Sequence, residues 1–156
     1  MTIRLSTGLR NGMLSSNSFK TLFDHGVLEI YAGTQPSSAD AAITSSALVK
    51  ITNSGATHTA SSASTAGGIS FSSASSGAVA KSSAQTWKDS SASSGTAGWF
   101  TLYDNSHSTS ASSAGTIVRL QGSCGVGSGD LRMSNTSIGS GATITIDTFT
   151  ITLPAS

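Results

Sequence analysis

"ATITIDTFTITLP", residues 142–154, decides the fold, because its alternation of apolar and polar residues changes phase in the middle. In a strand, alternate side chains share a face, and a one-residue shift moves every later side chain to the opposite face. Ile144 and Ile146 come before the shift, and three apolar residues come after it: Phe149, Ile151 and Leu153. The stretch therefore predicts a β-bulge at Asp147 or Thr148, or a bend at which the chain passes from one sheet to another.

Short strands separated by Ser, Gly and Ala tracts account for most of the chain after residue 26. Seven further segments have strand-like alternation or β-branched content: 27–31, 47–52, 67–73, 77–81, 98–104, 115–122 and 130–134. Segment 98–104 is apolar on both faces, which predicts a central strand covered on both sides. About eight strands without long intervening helices predict an all-β fold, an antiparallel β-sandwich or jelly roll.

The first 26 residues have a different pattern and predict an N-terminal arm with two short helices, followed by one β-sandwich domain over 27–156. Ser6 or Thr7 is placed to cap the first helix and Ser18 to cap the second, with Gly26 as the stop. Four apolar residues of the arm are candidates for clasping a partner: Ile3, Leu5, Leu9 and Met13. Packing of the same residues on the protein's own sheet is an equally good interpretation.

The composition limits the classes of partner. Leu, Ile, Val and Phe make up 30 of 156 residues, about a third of the chain is Ser plus Thr, and the net charge is +1. Without clustered Lys and Arg, nucleic acid is not an expected partner. No apolar run reaches the length of a membrane span or a signal peptide, and one cysteine fits synthesis in a reducing cytoplasm.

No catalytic, cofactor or metal motif is present in the sequence. The glycine-rich stretch 122–130 lacks the lysine and the helix that a phosphate loop needs, so it predicts a hairpin connection. Cys124, within it, is a nucleophile candidate only if the fold brings a histidine close. The three histidines, at positions 25, 58 and 107, have no ligand spacing among themselves or with Asp24, Asp104 and Asp130.

Two aromatic residues are candidates for surface contacts. Trp99 lies inside the predicted central strand and is expected in the core, whereas Trp87 is the better candidate for an exposed contact, either with another subunit or with a sugar ring. A sugar-binding module would need Trp87 or Tyr103 exposed in a groove. The Ser-rich tract 53–66 predicts a long exposed loop.

Three segments together resemble a family of small virion structural proteins of tailed bacteriophages: "LSTGLRNGMLSSNSFKTLFDHGVLEIYAGTQPSSADAA" (5–42), "TAGWFTLYDN" (96–105) and "LQGSCGVGSGDLRMSNTSIGSGATITIDTFTITLP" (120–154). The resemblance implies a non-enzymatic component of the virion, made in the host cytoplasm, without a cofactor. Its most specific implication is a capsid decoration or cement protein, forming a homo-oligomer and binding the major capsid protein or other virion proteins. A tail or fibre component, a sugar-binding module and a small hydrolase built around Cys124 are the alternatives.

Overall fold

The described part of the chain, residues 3–15, 17–61 and 65–153 of a computed structural model, contains eleven strands and two short helices. In chain order they are β1 Arg4–Leu5, α1 Thr7–Ser15, α2 Phe19–Phe23, β2 Val27–Ala32, β3 Val49–Asn53, β4 Ala78–Ala80, β5 Trp87–Asp89, β6 Gly95–Tyr103, β7 Arg119–Val126, β8 Leu131–Met133, β9 Ser137–Ile138, β10 Ile144–Ile146 and β11 Thr150–Thr152. Neither helix has the length or apolar character that crossing a membrane requires.

The C-terminal stretch passes between two sheets, which confirms the second explanation of its change of phase. Strand β10 pairs with β5 in a nine-stranded sheet, whereas β11 pairs with β4 in a separate two-stranded sheet. Between them, Phe149 is buried and Asp147 and Thr148 are exposed. The reversal of the apolar face therefore marks the place where the chain leaves one sheet and joins the other.

The nine-stranded sheet has the order β1-β7-β6-β2-β3-β5-β10, with β8 beside β7 and β9 beside β6. Its pairs are antiparallel except β7 with β8, which is parallel. Strand β6 lies between β7 and β2 and is buried on both faces, with Phe100 and Leu102 in one cluster and Trp99 and Tyr103 in another. The prediction of a central strand covered on both sides is confirmed.

Aromatic side chains fill the space between the nine-stranded sheet and the two-stranded sheet. The ring of Phe149 lies 5.9 Å from Trp87, 6.1 Å from Phe100 and 6.1 Å from Phe71, measured between centroids. The rings of Phe71 and Trp87 meet edge to face at 5.2 Å. These contacts form the centre of the larger core cluster, to which Leu9 and Phe23 of the helices also belong.

Two connecting segments cover the opposite face of the nine-stranded sheet. Ile43 donates its N–H to the carbonyl of Thr109 at 2.8 Å, and Ser112 donates to the carbonyl of Asp40 at 2.8 Å. These bonds join the segments that follow β2 and β6 into one layer. Ile43 itself packs in the second core cluster with Tyr31 and Trp99.

The N-terminal residues pack on the same core. Ser6 caps α1: its Oγ accepts the N–H of Leu9 at 3.2 Å and that of Arg119 at 2.9 Å, and donates to the carbonyl of Ile117 at 2.7 Å. Ser18 caps α2 with a capping box shared with Thr21. Both predicted caps are therefore present, and the buried Ser6 also joins α1 to the start of β7.

Three details of the predicted pattern are wrong. Segment 67–73 forms only isolated bridges at Ile69 and Phe71, and residues 115–118 precede the strand that begins at Arg119. The connection in 122–130 leads into a parallel pair, with Cys124 opposite Leu131, and not into a hairpin. Positive φ values at Gly127 and Gly129 allow the chain to loop back this tightly.

Gly26 has a role other than the predicted helix stop. The left-handed residue after α2 is His25, with φ of 60°, whereas a Cβ at Gly26 would lie 2.1 Å from the carbonyl oxygen of Tyr103. Glycine is therefore required by the close approach of β6. This packing requirement involves a residue 77 positions away, so the sequence near Gly26 does not indicate it.

We predict that Phe149→Ala lowers the free energy of unfolding by about 3–5 kcal/mol, because it removes a ring that contacts three others in the core. Leu153→Ala, four residues later on the same face, is the matched control, since Leu153 is 70% exposed, and its effect should stay within about 0.5 kcal/mol. Urea unfolding followed by tryptophan fluorescence measures both. Equal effects of the two variants would contradict this description of the core.

Candidate functional site

A row of polar residues crosses the covered face of the nine-stranded sheet. Strand register places five residues side by side: Lys50, Glu29, Thr101, Gln121 and Arg4. Glu29, Thr101 and Gln121 are buried. Such a row on a buried face needs hydrogen-bond partners, because burying an unpaired polar group costs free energy. It is the first candidate for a chemical site.

Glu29 is the centre of the hydrogen bonds in this row. Its Oε2 accepts the hydroxyl of Tyr31 at 2.5 Å, and its Oε1 lies 2.9 Å from Nε2 of His107 and 3.6 Å from Nζ of Lys50. The hydroxyl of Tyr31 donates its one hydrogen bond to Glu29. The hydroxyl of Tyr103, 2.7 Å away, is therefore the donor in the hydrogen bond between the two tyrosines. Tyr31 also stacks on Trp99 at 4.5 Å, which fixes its position.

These contacts shift the pKa values in directions that suit a structural hydrogen-bond network. Burial alone would raise the pKa of Glu29, but the hydrogen bonds from His107 and Tyr31 and the charges of His107 and Lys50 outweigh it and lower that pKa. Burial and the Glu29 charge raise the pKa of Tyr31 well above its usual range, and burial raises the pKa of Tyr103 to about 12. The tyrosines remain hydrogen-bond donors and the carboxyl remains ionised at neutral pH.

Whether a substrate can reach Glu29 and its hydrogen-bond partners decides whether this network can take part in catalysis. Glu29 is 5% exposed and Tyr103 is fully buried, and the connecting segments lie over them. A catalytic acid or base has to come within hydrogen-bond distance of a substrate, which a covered carboxylate cannot do. The amide of Gln121 is also buried and has no hydrogen-bond partner among the described residues. We interpret the network as a polar layer that holds the connecting segments on the sheet.

The histidines do not assemble a metal site in the described residues. The rings of His58 and His107 lie 6.0 Å apart, His58 Nε2 contacts the carbonyl of His25 at 3.1 Å, and His25 lies beside Asp24. Within the described ranges no group of three or more His, Cys, Asp or Glu is arranged to hold a metal ion. Burial lowers the pKa of His58, which favours its neutral form.

Cys124 has the wrong electrostatics for a nucleophile. Burial, followed by the nearby charge of Asp130, raises the pKa of its thiol to about 12. A nucleophilic cysteine needs the opposite shift, produced by a histidine or another positive charge. The raised pKa leaves little thiolate at Cys124 at neutral pH.

Both candidate sugar platforms are buried. Trp87 is fully buried between Phe71 and Phe149, so the prediction of an exposed contact at Trp87 is wrong, and Tyr103 is fully buried as well. The sequence pattern around Trp87 did not reveal that a second sheet would cover it. A sugar ring has no exposed aromatic face at either residue.

An open apolar groove lies on the other side of the molecule, between β1 and β11. It has a volume of about 510 Å³, and we call it the docking groove. Its apolar lining comes from both ends of the chain and from Leu120 of β7; the residues from the two ends are Ile3, Leu5, Met13, Phe19, Ile151 and Leu153. A second groove of about 480 Å³ continues from it under β4 and β11, sharing Met13, Phe19, Ile151 and Leu153. The docking groove is the candidate interaction surface among the described residues.

The structure separates the predicted arm residues into two groups. Ile3, which is 44% exposed, lines the docking groove with the half-buried Leu5 and Met13, whereas Leu9 is fully buried in the protein's own core. Sequence reasoning missed Phe19, Ile151 and Leu153. The apolar alternation in residues 142–154 could have indicated Ile151 and Leu153, since Leu153 continues the apolar face of β11 beyond the last residue pair that β11 forms with β4.

Comparison with known proteins adds no relative: no protein-family model, curated protein sequence or solved structure matches the chain.

We predict that Glu29→Gln destabilises the protein at pH 7 by about 1–3 kcal/mol, because the amide cannot replace a carboxylate that accepts hydrogen bonds from Tyr31 and His107. The folded-state pKa is lowered, so this stabilisation is complete above the ordinary value of 4.5 and is lost as the pH falls through the lower folded value. The gap between wild type and variant should therefore close in acid.

Urea unfolding at a series of pH values between 7 and the acid limit of folding measures that gap. Asp147→Asn, at an exposed carboxylate, is the control and should change stability little at any of these pH values. A gap for Glu29→Gln that widens on acidification would contradict the assignment.

We predict that native Cys124 reacts with iodoacetamide at pH 8 at least roughly 100-fold more slowly than the urea-unfolded protein, because its raised pKa suppresses the thiolate. The control carries Cys124→Ala and Ser140→Cys, which moves the thiol to an exposed position. Mass spectrometry of the alkylated product gives the rates. Native labelling of Cys124 as fast as that of the control would restore a reactive cysteine.

Proposed function

We propose that the protein is a non-enzymatic structural component of a bacteriophage virion, a decoration or cement protein that binds the lattice of the major capsid protein. The docking groove is the observation that carries this proposal. It is open, apolar and bordered by strands, and it uses residues from the N-terminal arm that the sequence pointed to. The resemblance of the chain to small virion structural proteins is the reason for proposing a bacteriophage virion as the particle.

The chain has few large apolar residues for a core, which favours a protein that buries further apolar surface when it assembles with other subunits. Four large apolar residues in the described ranges remain exposed: Ile3, Leu14, Val126 and Leu153. Two of them line the docking groove, so binding a neighbour there buries apolar surface that the folded monomer leaves in water. A partner that binds only the folded form also stabilises it by mass action. Surrounding copies would supply this burial in a homo-oligomer or on a shell.

The fold we propose with this function is a β-sandwich of jelly-roll type. The two-stranded sheet would be the remnant of the second layer, packed on the first through Phe71, Trp87, Phe100 and Phe149. A layer of only two strands covers little of a nine-stranded sheet. The N-terminal helices and the docking groove occupy the adjoining part of that face, where a complete sandwich would have further strands.

A tail or fibre component is the alternative within the virion, since the same groove serves any lattice of repeated subunits. Copy number distinguishes the two. A decoration protein is present in stoichiometric numbers on the shell, whereas a tail component is present in a few copies per particle. Localisation in the virion follows from either assignment.

We predict that purified protein sediments with shells lacking it, in numbers that saturate at a fixed ratio to the major capsid protein. Ile3→Asp should reduce this binding at least roughly tenfold, because a carboxylate cannot be desolvated in the docking groove at low cost. Val126→Asp is the matched control, since Val126 is equally apolar and 58% exposed but does not line the groove.

Co-sedimentation quantified by gel densitometry measures both the ratio and the effect of each variant. Thermal melting of the two variants checks that they are folded. Absence of binding to shells, with binding to isolated tails, would move the assignment to the tail, and binding to neither would overturn the virion proposal.

A further inference from the structure

Strand β11 has one edge that no strand of the described residues covers. On its inner edge, Phe149 accepts the N–H of Lys81 at 2.8 Å and Leu153 donates to the carbonyl of Gly77 at 2.9 Å, while Ile151 lies opposite Val79. Backbone groups alternate in direction along a strand, so those of Thr150 and Thr152 point away from β4. The outer edge therefore presents donors and acceptors that no strand of the described ranges pairs with, and these are available to another strand.

Strand β1 has a similar edge. Ser6 donates its N–H to the carbonyl of Arg119 at 3.0 Å and Arg4 lies opposite Gln121, so Arg4 and Ser6 face β7. The backbone groups of Ile3 and Leu5 then point away from it. Strand β1 is the terminal strand of the sheet order on this side.

Both open edges border the docking groove. The groove is lined by Leu5 of β1, by Ile3 just before it and by Thr150 and Thr152 of β11, and no residue of β4 is in its lining, which places it on the outer side of β11. Between the edges lie the side chains of Leu5, Met13 and Phe19. An extended segment lying there finds backbone partners along its length and apolar contacts for alternate side chains, the two requirements of recognition by strand addition.

The charged residues at the rim favour one kind of segment. Arg132 lines the docking groove and Lys20 lines its continuation, and neither forms an ion pair within the part of the chain that the structure describes. The carboxylate of Asp130, also at the rim, accepts both the N–H and the hydroxyl of Ser123, at 2.9 and 2.8 Å. Asp130 keeps its negative charge, so Lys20, Arg132 and Asp130 together give the rim one net positive charge, which complements a carboxylate on the occupant.

We propose that the docking groove binds an extended segment of a partner protein, which adds as a strand to the outer edge of β11. The segment has apolar residues at alternate positions, which contact Leu5, Met13 and Phe19, and Asp or Glu flanking them, close to Arg132 and Lys20. The inference deepens the proposed function and rests on it for the origin of the partner in the virion. It does not depend on which virion protein supplies the segment.

A second copy of this chain is a poorer occupant. Pairing of two β11 edges is symmetric, so it brings the same rim of each copy together. The two rims carry the same net positive charge, summed over Lys20, Arg132 and Asp130, and therefore repel each other when they are brought together. A segment that carries carboxylates is attracted by the net positive charge of this rim.

Synthetic peptides test the proposal with the full-length protein. The probe is fluorescein-labelled Asp-Val-Thr-Val-Thr-Val-Asp, compared with the same peptide carrying Lys in place of Asp and with one carrying Pro at the central Val. We expect the acidic peptide to bind with an affinity at least roughly tenfold above that of the lysine peptide, with the advantage decreasing as salt is added. The proline peptide should not bind, because it cannot continue the ladder.

Variants of the groove locate the binding. Thr152→Pro removes an edge N–H that points away from β4, so it should abolish peptide binding, whereas the matched control Thr152→Val keeps that N–H and should bind normally. Arg132→Glu should reverse the preference between the acidic and the lysine peptide. Amide hydrogen exchange adds a direct readout, with protection of Thr150 and Thr152 expected in the complex.

Each outcome has a defined meaning. Binding that is lost in Thr152→Pro and kept in Thr152→Val, with both variants folded by circular dichroism, supports strand addition. Failure of every peptide to bind, or equal binding by the two variants, overturns it. Concentration-dependent dimerisation that Thr152→Pro abolishes would assign the groove to a second copy and would also overturn it.

The same variants separate this inference from the proposed function. Shells that bind wild type and Thr152→Pro equally would leave the virion assignment standing and overturn the groove as the attachment site. Peptide binding by a protein that attaches to no virion component would support the groove and overturn the virion assignment.

Discussion

The contact of Phe149 with three other aromatic rings is the constraint on which the architecture depends. Trp87 and Phe100 belong to the nine-stranded sheet, and Phe149 lies where the chain leaves that sheet for β4 and β11. The ring can be buried there only if the strand reverses its apolar face between residues 146 and 149. Burial of one side chain thus sets the position of the small sheet, and with it the position of the open β11 edge.

Several elements could be predicted from sequence because their causes are local. The phase change in 142–154, the serine caps and the doubly apolar strand β6 each have a signal within a few residues. The burial of Trp87 and the need for glycine at position 26 arise from chain segments far away in sequence. The docking groove combines both ends of the chain, so sequence analysis found its N-terminal wall and missed the other.

The two faces of the nine-stranded sheet use different physics. One is closed by apolar packing around Phe149. The other combines the stack of Tyr31 on Trp99 with a carboxylate whose hydrogen bonds require defined positions of Tyr31 and His107. The connecting segments on that face have few large apolar residues, Ile43 being the main one in the second cluster. A polar network compensates for what such Ser- and Ala-rich segments cannot bury.

An open groove is the expected cost of building this fold from so few large apolar residues. Covering a nine-stranded sheet completely requires a second layer of comparable width, whereas the described residues supply β4, β11 and two short helices over that face. Strand edges and apolar side chains at the gap then remain exposed together, because the same missing strand would have covered both. The composition that leaves this edge open therefore also leaves room for the added strand that we propose.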